Sequence, residues 1–263
     1  MKLLFFGDVV GKGGREAVKQ VLPELRRRFN AQFAVVNGEN SAAGAGITGG
    51  CARELATVAD VITTGDHIWD QKGFEQEIIM FRNVLRPANL SKLQPGNGWG
   101  VFQNPAGGEV AVINLLGKVF MRESAYCPFE TIDRILKEEL PARVKTILVD
   151  FHAEATSEKI AMAYYLDGRV TAVLGTHTHV RSSDARVLPG GTAALSDAGM
   201  CGAETSVLGR EVESVLKKFQ TGMPVRLPVV EKGLIRVDGA AITYDPATGR
   251  AAAIEGFSET VEI

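Results

Sequence analysis

Four histidines occur in the 263 residues, and two of them, His177 and His179, stand one residue apart in Val173-Leu-Gly-Thr-His-Thr-His-Val180, after a run that reads as a buried strand. Along a strand, residues i and i+2 project to the same side. An H-x-H pair at a strand end can therefore aim two ring nitrogens toward nearly one point. A metal ion makes use of that arrangement; the plain alternative is two polar residues satisfied at a strand end.

The other ligands of such a site must come from elsewhere in the chain. The residues standing at or just past the ends of the apolar runs are Asp8, then Glu39 and Asn40, then Asp66 and His67, then His152, then His177 and His179, so every histidine of the chain falls in this set. In open α/β sheets, ligands bind beyond the carboxyl ends of the strands. Carboxylates, an amide oxygen and imidazoles suit iron, manganese or zinc, while the lack of cysteine in the set disfavours a structural zinc site. The donors are too many for one ion. Two ions about 3.5–4 Å apart, bridged by a carboxylate and a hydroxide, would use them, and such pairs clamp the attacking and leaving oxygens of a phosphoryl displacement.

Individual residues keep two readings. Asp8 could cap the following helix, but it lies far ahead of Arg15; Glu39 could be a turn carboxylate. Asp66 and His67 are adjacent and do not easily face one ion. One of them is expected to bind metal while the other reaches past it, and His67 is the natural proton donor to a leaving alkoxide. Asp150, Glu154 and Glu158 could orient ligand imidazoles from behind or be solvated charges at a helix start, and Asp197 allows the same two readings.

The elements that must position these residues follow from periodicity. Lys2–Phe6, Phe33–Val36, Val61–Thr64, Thr146–Val149, Val170–Leu174 and Thr192–Leu195 read as buried strands. Helices are expected over Arg15–Phe29, from a Thr48 cap to about Val58, over Phe74–Met80, Pro128–Leu140, Lys159–Leu166 with Ser157 as cap and Gly168 as stop, and Arg210–Phe219. Val84–Pro87 reads as an edge segment, because proline cannot donate to a ladder. Gly100–Gln103 and Val110–Leu115 form a hairpin across Asn104–Gly108, and the tail from Val225 reads as antiparallel strands joined at Glu231–Gly233 and Asp245–Gly249. Strands alternating with helices, with hairpins added, argue a mixed α/β sheet layered by helices. No linker, repeat or low-complexity tract interrupts 1–263, so one domain is expected.

A hydrophobic fraction of 45%, a charged fraction of 23% and a net charge of −2, with a pI near 6.1, are those of an ordinary soluble globular chain. That balance gives no footprint for duplex DNA or an anionic membrane. Gly7-Asp8 ends the first apolar run well short of the ~7–15 residues a signal peptide needs, and nothing approaches a ~20-residue span. A cytoplasmic location is expected. Cys51, Cys127 and Cys201 fit neither a disulfide framework nor a zinc ribbon.

With these residues in hand, the pattern resembles the calcineurin-like metallophosphoesterases, and within them the YmdB-like bacterial phosphodiesterases. The resemblance spans nearly the whole chain: Gly7-Asp-Val-Val-Gly11, Asn37-Gly-Glu-Asn40, Gly65-Asp-His67, Leu85-Arg-Pro-Ala-Asn89, Asp150-Phe-His-Ala-Glu-Ala-Thr-Ser-Glu-Lys159, Gly175-Thr-His-Thr-His179 and Asp197-Ala-Gly-Met200. It implies an α/β metallophosphoesterase sandwich, with mixed β-sheets flanked by helices in one domain over 1–263. Asp8, Glu39, Asn40 and His179 would hold a first ion, and Glu39 would bridge to a second held by Asp66, His152 and His177. His67 would be the general acid, iron or manganese the metal, and phosphodiesters such as 2′,3′-cyclic nucleotides the substrates, attacked by a hydroxide between the ions.

Two departures stand out. Asn40 replaces a histidine that most metallophosphoesterases carry two residues after the first aspartate, where this chain has Val10. Asp66 stands where the family usually has asparagine, so a second ion would meet an extra negative charge.

The rival readings are weaker. Gly44-Ala-Gly-Ile-Thr-Gly49 is a literal G-x-G-x-x-G, but the loop from Glu39 separates it from the strand that a dinucleotide fingerprint must follow directly. Gly7–Gly14 lacks the Ser or Thr of a P-loop after Lys12. A catalytically weak metal-binding regulator is the other alternative. The tail strands could cover the core or an interface between copies, which leaves a homo-oligomer open.

Overall fold

A computed structural model describes all 263 residues. The chain runs β1 (Lys2–Phe6), β2 (Asp8–Val9), α1 (Gly11–Phe29), β3 (Phe33–Asn37), α2 (Gly49–Leu55), β4 (Val61–Thr63), α3 (Phe74–Glu77), β5 (Val84–Leu85), β6 (Trp99–Gln103), β7 (Glu109–Leu116), α4 (Pro128–Arg134), β8 (Thr146–His152), α5 (Thr156–Tyr165), β9 (Ala172–Thr176), β10 (Arg186–Val187), β11 (Ala193–Leu195), β12 (Met200–Ala203), α6 (Val212–Thr221), β13 (Leu234–Tyr244) and β14 (Ala251–Glu262).

The strands form two sheets. In the first, β1, β3, β4 and β5 are parallel, and the β13–β14 hairpin joins antiparallel through β13. In the second, β7, β8, β9 and β11 are parallel, with β6 antiparallel at one edge and β10 at the other.

Period-two alternation explains how the sheets stack. On β1, Leu3 and Phe5 face a layer shared with Val112, Leu148 and Leu174 of the other sheet, while Leu4 and Phe6 face α1 through Val18, Leu22 and Leu25. On the second sheet, Ile113, Val149 and Phe151 face outward onto α4 and α5 through Ile132, Met162 and Leu166. The result is helix, sheet, sheet, helix, with an apolar seam between the sheets. Strands buried on both faces read as near-continuous apolar runs, which is why the sequence shows them so plainly.

Several expected boundaries move. The helix expected from Arg15 begins at Gly11, because Gly13 and Gly14 lack side chains: a Cβ on them would lie 2.5 Å from the Glu231 carbonyl oxygen and 2.2 Å from that of Cys201. Asp8 is not its cap; Val10 holds that position without a side-chain bond. Thr48 does cap its helix, accepting from the Cys51 N–H. Ser157 does not, since α5 starts at Thr156 with no side-chain cap. Asp150, Phe151 and His152 lie inside β8 instead of beyond it. Val225–Val230 forms no strand, so Glu231–Gly233 joins no hairpin; the Asp245–Gly249 turn does.

Candidate metal centre

β1, β3 and β4 of one sheet and β8, β9 and β11 of the other bring their carboxyl ends to one edge of the seam, and the chemistry-bearing residues converge there. Asp8 follows β1, Glu39 and Asn40 follow β3, Asp66 and His67 follow β4, His152 ends β8, and His177 and His179 follow β9. Asp8, Glu39 and His152 are buried, and Asn40 and Asp66 nearly so.

The two central carboxylates are built alike. Asp8 Oδ2 accepts the His177 N–H at 3.0 Å, and Glu39 Oε1 accepts the His67 N–H at 3.0 Å. Their other oxygens, Asp8 Oδ1 and Glu39 Oε2, are buried with no aligned hydrogen-bond donor, and the nitrogens facing them are those of His152, at 3.7 Å and 2.8 Å. Leaving a buried carboxylate oxygen bare costs on the order of 1–3 kcal/mol or more. Two such oxygens turned toward imidazoles are what a cation would satisfy, so the donor set fits metal ions.

Around them, His152 Nε2 lies 2.8 Å from Glu39 Oε2 and 3.2 Å from Asp66 Oδ1. His177 Nδ1 lies 3.0 Å from His152 Nε2 and 3.5 Å from Asp66 Oδ1. His179 Nε2 lies 3.0 Å from Asn40 Oδ1 and 4.0 Å from Asp8 Oδ1. Ligand atoms of Asp66, His152 and His177 fall within 4.8 Å of one another, as do those of Asp8, Glu39 and His152, and those of Glu39, Asp66 and His67. Gly65 keeps the cradle open, since a Cβ there would sit 1.5 Å from Glu39 Oε2.

The strand-end geometry expected for His177 and His179 is not what the chain adopts. β9 stops at Thr176, and both histidines have positive φ, 102° and 65°. The imidazoles consequently diverge, His177 toward Asp66 and His152, His179 toward Asn40 and Asp8. Left-handed non-glycine residues cost about 1–3 kcal/mol each and persist where surrounding structure enforces them.

Residues behind the cluster hold it. His152 Nδ1 faces Thr176 Oγ1 at 2.9 Å, whose hydroxyl donates to Asp150 Oδ1 at 2.7 Å, which leaves Nε2 free for the site. Asp150 Oδ2 accepts from Asn37 Nδ2 at 2.9 Å and from the Thr63 hydroxyl, and Asn37 Oδ1 accepts the Glu39 N–H at 3.0 Å. Burial pushes the Asp150 carboxyl up to about 6 against its threonine hydrogen bonds. Glu154 Oε2 lies 3.1 Å from His177 Nε2, whereas Glu158 accepts the Lys118 and Val119 N–H groups. Arg86 donates to the carbonyls of Pro87, Gln94 and Pro95, and Asn89 to those of Leu116 and Tyr126, so both fix loops.

Electrostatics follow from crowded carboxylates. Burial raises the Glu39 carboxyl. Burial alone would lower the His152 imidazolium, yet Glu39, Asp66 and Asp8 hold it well above the usual histidine range. Burial likewise works against His67, but Glu39, Asp66 and Asp70 raise it. Asp70 Oδ2 sits 2.7 Å from His67 Nδ1, a partner that sequence reading missed although it stands three residues on in the same turn.

A sequence model of YmdB-like proteins matches residues 4–257. The chain belongs to the YmdB-like family. This YmdB-like protein is 43% identical over 256 residues to the 2′,3′-cyclic-nucleotide 2′-phosphodiesterase of Bacillus subtilis, covering 97% of this chain and 96% of that one. Among solved structures it superposes on a novel phosphatase from Mycoplasma pneumoniae with a TM-score of 0.91 at 32% identity, over 100% of this chain and 94% of the other. It also superposes on the calcineurin-like phosphoesterase YfkN of Bacillus subtilis with a TM-score of 0.57 at 13% identity, over 99% and 90%. That last likeness gives the fold, the α/β sandwich of mixed sheets flanked by helices that the motifs implied.

Proposed function

We propose that this YmdB-like protein is a metal-dependent phosphodiesterase whose substrates are small phosphodiesters, 2′,3′-cyclic nucleotides first among them. The observation that carries the reading is the pair of orphaned oxygens on Asp8 and Glu39, buried and turned onto the imidazoles. The family membership and the name of the Bacillus subtilis relative supply the reaction class.

In this reading Asp8, Glu39, Asn40 and His179 hold one ion, and Glu39, Asp66, His152 and His177 hold the other. Their hard-to-borderline donors favour iron or manganese. Ions held there supply charge neutralisation at the phosphoryl oxygens and an acidified water as nucleophile. His67, with Nδ1 engaged by Asp70, presents Nε2 to the departing ribose oxygen and delivers the proton it needs. Asp70, on Nδ1, is the carboxylate outside the ligand set that favours the protonated ring. The Asp150–Thr176 pair occupies His152 Nδ1, so Nε2 is the nitrogen that would give up its proton and face an ion. Asp66, a charged donor where the family has a neutral one, strengthens binding and weakens the Lewis acidity of its ion.

The whole of 1–263 acts as one catalytic domain in this reading, since the centre draws on both sheets. No helix is long and apolar enough to cross a membrane, and the three cysteines are unpaired, which suits the cytoplasm. The test is hydrolysis of a 2′,3′-cyclic nucleotide and of an aryl phosphodiester by metal-stripped protein titrated with Mn²⁺ or Fe²⁺, beside elemental analysis. Metal-dependent turnover and two ions per chain are expected. Absence of metal-dependent turnover with either substrate overturns the reading.

A further inference from the structure

Lys159 and Asp197 form an ion pair, Nζ to Oδ2 at 2.7 Å, with 4% and 3% of their surfaces exposed. Neither touches the cluster of carboxylates and imidazoles. Two charges taken out of water are a costly way to fill a core, and an apolar pair of similar volume often serves stability as well or better. The bonds that Asp197 makes show what the pair is for.

Asp197 Oδ2 accepts from the Thr178 N–H at 3.1 Å and from its hydroxyl at 2.8 Å. The Asp197 backbone carbonyl accepts the Ser182 N–H at 3.1 Å, and its N–H donates to Ser182 Oγ at 2.9 Å. Asp197 therefore grips the chain at 178 and 182, on both sides of His179. Its remaining oxygen, Oδ1, accepts the Gly199 N–H at 2.9 Å, so the carboxylate is itself fixed in the turn after β11. Gly175 makes room for the partner: a Cβ there would lie 2.9 Å from Lys159 Cδ.

The two histidines depend on this grip unequally. His177 has tethers of its own, its N–H on Asp8 and its Nε2 beside Glu154. His179, outside the cluster, has only the Leu208 carbonyl at 3.3 Å, on an exposed residue that is itself left-handed with φ 53°. Its own backbone is held at φ 65° with no hydrogen bond from its N–H to oppose relaxation.

We propose that Asp197, locked by Lys159, is a positioning residue that fixes His179 through Thr178 and Ser182 and so sets the half of the metal centre shared with Asp8 and Asn40. The proposal rests on the reading that the centre holds two ions. Direct ligation by neither residue is involved, and the effect passes entirely through the backbone between 178 and 182.

The test is calorimetric titration of metal-stripped protein with Mn²⁺ alone, with elemental analysis and thermal melts of the same samples. Wild type is expected to show two sites. The double variant Lys159→Met/Asp197→Leu removes both charges together, so no buried charge is left unpaired. The Thr178 and Gly199 N–H groups lose their acceptors, however, and its melting point is expected to fall by a few degrees with the protein still folded. One of its two Mn²⁺ sites should weaken by about ten- to hundredfold, the usual effect of removing a residue that orients a ligand, while the other is kept. His179→Ala should weaken the same site, and adding the double change to it should weaken that site no further. Thr178→Val, which removes only the hydroxyl bond, should move the same site by a smaller factor and decides the matter if the double variant does not fold. A folded double variant with both sites at wild-type affinity, or with both weakened equally, overturns the proposal. Wild type that binds no Mn²⁺ overturns the metal reading itself and takes this proposal with it.

Discussion

The proton on His67 is where residue-scale chemistry can be separated from metal binding. His67 Nδ1 is held by Asp70, and a nitrogen of its ring lies within 4.8 Å of oxygens of Glu39 and Asp66. As general acid, His67→Ala should lower kcat on a 2′,3′-cyclic nucleotide by about 10²–10⁴-fold, while elemental analysis still finds two ions. The loss should shrink on an aryl diester, whose leaving group needs no proton; loss of an ion instead would make His67 a ligand. Asp70→Asn should lower kcat less and leave the ions in place. Gly65→Ala should do the opposite, emptying the centre of a folded protein, because its Cβ would occupy the space beside Glu39 Oε2 and His152. Which residues meet was legible in the sequence because each stands where an apolar run ends. The resemblance divided His177 and His179 between two ions, but the backbone that separates them was not legible. Nothing local announces that His177 and His179 turn left-handed and diverge, since that depends on Asp8, Asp197 and Leu208, all distant in sequence.

At the scale of elements, α1 and α2 are tied together by Glu54, which meets Lys19 at 2.6 Å and Arg15 at 2.7 Å. Arg15 also donates to the Ser41 carbonyl, so the same tie steadies the loop that carries Asn40. Burial would raise the Glu54 carboxyl, but the two cations hold it below the ordinary glutamate range. A depressed folded pKa means stability that is present above the unfolded value of about 4.3 and lost as pH falls through the folded one. Glu54→Gln should therefore melt about 2–4 °C below wild type at pH 7, for roughly 1 kcal/mol from two partly exposed pairs. The difference should close as the pH is taken well below 4. A gap of the same size at low pH would assign the effect to packing. Sequence periodicity gave α1 its apolar face, Ala17, Val18, Val21, Leu22 and Leu25, but not its first turn. Glycine is a poor helix former, and only contact with Cys201 and Glu231 makes Gly11–Gly14 helical. β12 escaped for the same reason: Met200–Ala203 has little strand character of its own and is ordered by pairing with β2 and β13.

At the scale of the whole molecule, the centre spans the seam: Asp8, Glu39 and Asp66 hang from one sheet, His152, His177 and His179 from the other. Metal should therefore act as a clasp between sheets, and packing in the seam should matter to it more than packing elsewhere. Leu3 and Leu4 offer a matched pair. They are neighbours on β1, both with no exposed surface, yet Leu3 faces the seam and Leu4 faces α1. Either change to alanine should cost about 2–5 kcal/mol. Mn²⁺ at a hundred times the dissociation constant of each of the two sites should stabilise wild type by about 2.7 kcal/mol per ion, roughly 5 kcal/mol in all, a rise of roughly 10–20 °C in melting point for a chain of this size. Leu4→Ala should start lower and gain the same rise. Leu3→Ala should gain less at the same Mn²⁺ concentration, because part of the binding free energy goes into restoring the approach of the sheets. Equal gains in the two variants would mean that each sheet presents its ligands independently of the seam, and the clasp would be no part of how this fold holds metal.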